Sequence, residues 1–173
     1  MIFSFRKSKP LKFFIGRLDR SSQELQITAS VVRHVTRHRQ LTPWSSEAGG
    51  QLFGLIDAKK ICIIEVAGPY VGDERSRHRY RSNPVAAQRA IDERSTRSLL
   101  YLGEWHTHAE DCPNASSLDA NAMASLIESS SLNSNGLMMM IVGRALGVEG
   151  IGIWSVSSKA IYRWELTQNE CDG

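Results

Sequence analysis

The stretch GEWHTHAEDCPNASSLD, residues 103–119, constrains this chain more than any other part of it. Apolar LLYL precedes it, so a strand that begins in the core turns polar toward its C-terminal end. Strand side chains alternate, so His106 and His108 project to one side, about 7 Å apart along the strand. Ser116-Ser117-Leu118-Asp119 then has the S-x-x-D form of a helix N-cap with an acid in the first turn. Zinc takes imidazole nitrogen at roughly 2.0–2.1 Å and carboxylate oxygen at a similar distance. Both histidines can converge on one ion, and Asp119 can complete a three-ligand set if the helix packs beside the strand. Spacing alone leaves two readings open, a metal centre or a strand end followed by a capped helix, and the two can coexist. The pattern differs from H-E-x-x-H, whose pair lies one helical turn apart.

The rest of the chain supplies a scaffold for that segment. LQIT (25–28) alternates like a short strand, and Thr28 can cap a helix over about 29–40 that Pro43 ends. GGQLFGLI (49–56) and ICIIEVAG (61–68) read as a hairpin turned by DAKK. RSRHRYR (75–81), read as one extended run, puts Arg75, Arg77, Arg79 and Arg81 on one side and Tyr80 on the other. Asn83-Pro84 opens a helix over about 84–98, 99–108 is a strand, and a helix covers about 116–130. Three late strands fall at 136–143, 150–156 and 160–166, with Met138–Met140 as core filling. The order predicts an α+β fold, a mixed β-sheet flanked by helices.

Composition narrows the class. At 42% hydrophobic and 23% charged residues, the 173-residue chain fits one globular domain. No unbroken apolar run is long enough to span a bilayer, and the basic, aromatic start lacks the apolar core of a secretory signal. That start reads as an early strand or an arm. Cys62, Cys112 and Cys171 are odd in number and widely spaced, which points to a reducing cytosol rather than a disulfide framework. Residues 1–100 carry a net +9 and residues 101–173 a net −6. The arginine run could serve an acidic partner, but aromatics do not interleave with it on one face, so a nucleic-acid partner is not expected.

A hydrolytic centre also needs a base. Alternation nominates Glu104, on the side of the two histidines; Glu47, just before two glycines in SSEAGGQLFG, is its rival.

Taken together, EAGGQLFG (47–54) and EWHTHAEDCPNASSLD (104–119) resemble the JAB/MPN domain family and its JAMM metalloprotease signature. That signature has an upstream Glu, then H-x-H, seven residues and S-x-x-D. The resemblance implies a JAB/MPN (cytidine-deaminase-like) fold over residues 22–166, with 1–21 an N-terminal arm or strand and 167–173 a C-terminal tail. It implies Zn²⁺ on His106, His108 and Asp119, Glu47 as general base and Ser116 as a donor to the developing oxyanion. Glu104 then becomes a supporting acid. The sequence departs from the common pattern at Ala109, where many members have proline. Cys112, in the same loop, is not expected to be a ligand.

The short chain, GEWHTH and the preceding arginines look similar to stand-alone bacterial JAB deconjugases of CBASS antiphage operons. In those, an E1/E2-like enzyme joins the C-terminus of a CD-NTase to a target amine and the JAB protein removes it. The resemblance implies a cytoplasmic bacterial zinc isopeptidase acting on a ubiquitin-like or CD-NTase tail. Alternatives are a JAB peptidase for another ubiquitin-like or sulfur-carrier protein, a non-catalytic MPN scaffold and a basic binding module.

Overall fold

The computed structural model describes residues 12–19, 21–130 and 136–169. The first eleven residues of the basic start and the last four of the expected tail lie outside the described residues. Strands β1 (Lys12–Arg17) and β2 (Glu24–Thr28) lead into helix α1 (Ala29–Thr36), and β3 (Gly49–Ile56) and β4 (Lys60–Val66) follow. A small hairpin, β5 (Glu74–Ser76) and β6 (Arg79–Arg81), precedes α2 (Pro84–Ser95), β7 (Leu100–Thr107) and α3 (Ser117–Ser129). The chain ends with β8 (Gly136–Val142), a 3₁₀ turn, β9 (Ile151–Ser157), β10 (Ile161–Arg163) and β11 (Glu165–Gln168). This is the expected mixed sheet with helices packed on it.

Local chemistry explains the boundaries. The Thr28 hydroxyl accepts from the Val31 N–H at the start of α1, and the Asn83 side-chain oxygen Oδ1 accepts from the Val85 and Ala86 N–H groups at the start of α2. Asp57 Oδ1 accepts from the Lys59 and Lys60 N–H groups, which closes the β3–β4 turn. Helix α1 stops four residues short of the predicted end. Gln40 is drawn into the interior instead, its amide donating to the carbonyls of Ser45 and Arg77. The last predicted strand is divided at Trp164.

That division has a topological reason. Nine strands form one sheet in the order β10-β9-β8-β7-β3-β4-β2-β1-β11. Its two edge strands, β10 and β11, are separated in sequence by Trp164 alone. The sheet therefore curls until its ends nearly meet. Trp164 is buried at the seam, where its backbone N–H donates to Ile153 O and its indole N–H to Ser155 Oγ. The pairs β2–β4 and β7–β8 are parallel and the other pairs antiparallel.

The concave face buries Leu52, Trp105, Met140 and Ile153 against Val31 and Val35 of α1. On the opposite face Met139, Ile141 and Trp154 pack under Met123 of α3, and Phe53 packs under Ala90 of α2. Strand β8 is thus covered on both sides, which is why GLMMMIV has no polar alternation. The methionine run is core, as expected.

The arginine run is not one extended stripe. It folds back at Arg77-His78, so that Arg75 faces Tyr80 across the β5–β6 hairpin. A turn in the middle breaks the alternation that a single strand would have kept. No helix among the described residues is long and apolar enough to cross a membrane.

Strand β3 is squeezed between β4 and β7, and Gly50 is one of the glycines that the squeeze requires. A Cβ there would lie 1.9 Å from the Ala67 carbonyl oxygen. Backbone cannot give way as a flexible side chain can, so Gly50→Ala should destabilise the domain by about 3 kcal/mol, the upper end of overpacking. Thermal or urea unfolding measures this, and a wild-type midpoint would refute it.

Candidate active site

Two adjacent pairings put the candidate residues at one end of the sheet. Strands β3 and β7 run antiparallel with Gly49 opposite His106. Just beyond, Thr107 N–H donates to Ala48 O at 2.8 Å, and Ala48 N–H donates to Thr107 Oγ1 at 3.0 Å. Glu47 is therefore held beside the end of β7. On the other side of β7, the parallel partner β8 takes the His108 N–H on Val142 O at 2.9 Å. Gly49 keeps the approach open, because a Cβ there would sit 2.5 Å from both Trp105 O and the Tyr80 ring.

A shift of register near Leu102 sets which way β7 side chains face. Beyond it Trp105 and Thr107 enter the core, while Glu104 and His106 face the cleft. The shift also brings Tyr101 to the same side as Glu104, which simple alternation would not allow.

His106, His108 and Asp119 each present one ligand atom, all within 4.8 Å of one another. The two Nε2 atoms lie 3.1 Å apart. Asp119 Oδ1 is 3.2 Å from His106 Nε2, and Oδ2 is 3.6 Å from His108 Nε2. Two imidazole nitrogens and a carboxylate oxygen converging on one point form a donor set that suits zinc. Cys112 is exposed and outside this group.

Ser116 and Asp119 also make the capping box read from the sequence. Ser116 N–H and Oγ donate to Asp119 Oδ2 at 2.8 and 2.6 Å, and Asp119 N–H donates to Ser116 Oγ at 3.1 Å. The capping box and the converging side chains therefore coexist in one geometry.

These groups line a cleft of about 730 Å³. Glu47, Ser116 and Tyr80 border it with the histidines, and Leu118, Met123 and Leu126 of α3 form an apolar wall. Burial pushes the Glu47 carboxyl up to about 7, with the Asp119 charge adding to the rise and His108 opposing it. Asp119 goes the other way. Burial would raise it, but bonds to His106, His108 and Ser116 hold it well below the usual carboxylate range. For His108, burial alone would lower the pKa, but Asp119 and Glu110 outweigh it and raise the group above its ordinary value.

Glu104 lies on the cleft floor, as alternation suggested, but its carboxyl is engaged. It accepts from Tyr101 OH at 2.5 Å and from Gln51 Nε2 at 2.9 Å, and burial lifts it to about 7. Gln51 in turn accepts from Tyr70 OH and donates to Ser82, which pairs with Tyr80 OH, and Tyr80 OH also donates to Asp73. This network ties the β5–β6 hairpin to the sheet.

The hairpin grips the candidate base. Glu47 N–H donates to Ser76 O at 2.7 Å, and Arg75 Nε donates to Glu47 O at 2.5 Å. Arg77 donates to the carbonyls of Thr42 and Pro43, fixing the loop before Glu47. Two arginines of the basic run thus serve the site by positioning backbone. Sequence reasoning missed this because the contacts span about thirty residues and follow no period. It also missed Glu110, which stands 2.8 Å from His108 Nδ1; an acid two residues after a candidate ligand was the available signal.

A family model described as prokaryotic homologues of the JAB domain matches residues 28–157. The chain belongs to this prokaryotic JAB family. Among curated JAB relatives, a CD-NTase/cGAS isopeptidase of Vibrio cholerae serotype O1 is 33% identical, over 73% of this chain and 80% of its own length. A CD-NTase/cGAS isopeptidase of Escherichia coli is 29% identical, over 73% of this chain and 81% of its own. One from Pseudomonas aeruginosa is 33% identical, over 78% and 89%. A solution structure of a Desulfitobacterium hafniense protein shares the fold, with a TM-score of 0.58 and 18% identity over 83% of this chain and 88% of that one. The JAB/MPN-type fold expected from the motif is the fold of this chain.

Glu47 gives this site a stability signature. Its folded pKa lies above its unfolded one, so the native state prefers the neutral acid. Ionisation therefore costs stability between about pH 4.5 and 7. Metal-free Glu47→Gln should be more stable than wild type at pH 8, by about 2 kcal/mol after solvent screening. The difference should close near pH 4.5. Denaturant unfolding at both pH values tests this; equal stability at pH 8 refutes it.

Proposed function

We propose that this JAB protein is a zinc-dependent JAMM-type isopeptidase that releases the C-terminal tail of a CD-NTase from the amine of a target protein. The observation that carries the reading is the convergence of His106, His108 and Asp119 in one cleft with the buried carboxyl of Glu47. The names of the three curated relatives support the substrate class. An E1/E2-like enzyme would make the conjugate, and both reactions would take place in the bacterial cytoplasm.

A zinc ion held by His106, His108 and Asp119 would supply Lewis acidity at the scissile carbonyl and make the attacking water more acidic. Glu47 takes the proton from that water as the new C–O bond forms. A carboxyl raised toward neutrality is well matched to this task, since it can accept the proton and give it up again. As the C–N bond breaks, Glu47 delivers the proton to the leaving amine, so the products are a free carboxylate tail and a restored lysine amine. The Ser116 hydroxyl, at the mouth of α3, turns from Asp119 to donate to the oxyanion. No covalent acyl-enzyme forms. Arg75 and Ser76 hold the Glu47 backbone while its carboxyl works.

Metal analysis and hydrolysis test the reading together. Wild type should carry about one zinc per chain, and His108→Ala and Asp119→Ala should lose most of it. Glu47→Ala should keep zinc and lose hydrolysis of a CD-NTase–target conjugate by about 10²–10⁴-fold, the usual worth of a general base. Zinc-free wild type after reloading, or full activity in Glu47→Ala, would sink the assignment.

A further inference from the structure

Ala109 follows His108, and backbone bonds fix the strand exit there. The loop from 108 to 111 is laced to the segment after β8. His108 N–H donates to Val142 O at 2.9 Å, Arg144 N–H to Glu110 O at 2.7 Å and Ala145 N–H to Asp111 O at 3.1 Å. The Arg144 guanidinium donates to Asp111 Oδ1 at 2.9 Å. Arg39, just past α1, donates to Arg144 O at 3.1 Å and secures that segment from behind. Gly143 permits the close approach, since a Cβ there would lie 2.5 Å from Asp111 O and 2.7 Å from Glu110 O.

The lacing leaves the Glu110 side chain at a defined place, with its carboxylate 2.8 Å from His108 Nδ1. We infer that Glu110 is the positioning residue for His108: it accepts the Nδ1–H, fixes the imidazole tautomer and so keeps the Nε2 lone pair aimed at the metal position. This rests on the zinc reading above and deepens it. A neutral imidazole has one N–H and one lone pair, and the partner on one nitrogen decides which nitrogen can ligate. Carboxylates in this position typically contribute 10–100-fold to metal affinity. Glu110 reaches only the nitrogen that faces away from the convergence point. His108 Nε2 stands 3.1 Å from His106 Nε2 and 3.6 Å from Asp119, while Nδ1 faces Glu110. The side chain of Glu110 is half exposed, so its replacement leaves no cavity in the core.

The test is zinc affinity of the full chain, read by competition with a chromophoric chelator, for wild type, Glu110→Ala and Glu110→Gln. Glu110→Ala should bind zinc at least about 10-fold more weakly, with the melting temperature of the metal-free protein unchanged. Glu110→Gln should stay within about 3-fold of wild type, because its amide oxygen can still accept the Nδ1–H. Cobalt substitution gives a second readout: the d–d band of wild type and Glu110→Gln should coincide, and that of Glu110→Ala should shift. Wild-type affinity in Glu110→Ala overturns the inference while leaving the zinc reading standing. Equal loss in Ala and Gln also overturns it, in favour of bare negative charge. A wild type that binds no zinc removes the zinc reading, and this inference with it.

Discussion

The site depends first on the pairing of β3 with β7. Glu47 and His106 are fifty-nine residues apart, yet Gly49 opposite His106 and the reciprocal bonds between Ala48 and Thr107 bring them to one strand end. The pairing is possible only because β3 enters through two glycines. At Gly49 the neighbours are the Trp105 carbonyl and the Tyr80 ring, and at Gly50 the Ala67 carbonyl; none leaves room for a Cβ. Small residues here are a requirement of close packing, and Glu47 gains a fixed address from it. The parallel partner β8 then holds the other side of β7, so the His-x-His segment is bonded on both edges.

Around that frame the molecule concentrates acid in a dry place. Glu47 and Glu104 are both lifted toward neutrality by burial, while Asp119 is held ionised by its bonds to the histidines and Ser116. The cleft thus sets one carboxyl shifted down beside two shifted up. Such separation is how one site can contain an acid able to exchange a proton and another that remains a charged ligand. Tyr101 and Gln51 satisfy Glu104, and the hairpin arginines bond to the carbonyls of Thr42, Pro43 and Glu47.

Much of this was legible in the sequence, and for identifiable reasons. Strand β3, the β3–β4 hairpin, the caps at Thr28, Asn83 and Ser116, and the polar end of β7 all have local signatures: alternation, turn chemistry and N-cap residues. The family resemblance implied Glu47 over Glu104 as the base, an expectation that spacing could not supply. What escaped is long-range. Gln40 leaves the helix early because its amide finds carbonyls at Ser45 and Arg77. The arginine run folds into a hairpin because Arg75 and Arg77 have backbone partners far back in the chain. Trp164 divides what reads as one strand because the curled sheet needs its two ends at one seam. Apart from the Gln40–Ser45 bond, no window of ten residues contains any of these causes.

The segment that first posed a choice between a metal centre and a capped helix holds the cap and the converging side chains together. Asp119 has two carboxylate oxygens, and the structure gives them different work. Oδ2 takes the Ser116 N–H and hydroxyl, completing the capping box, while Oδ1 faces His106 Nε2 at 3.2 Å. The cap holds the carboxylate at the first turn of α3, where the helix dipole favours negative charge. It thereby orients the second oxygen toward His106 without using it. A helix cap is thus a means of aiming a carboxylate oxygen. The S-x-x-D spacing is the one that lets a single side chain terminate a helix and face a strand at once, and that dual geometry explains why spacing alone could never have separated the two readings.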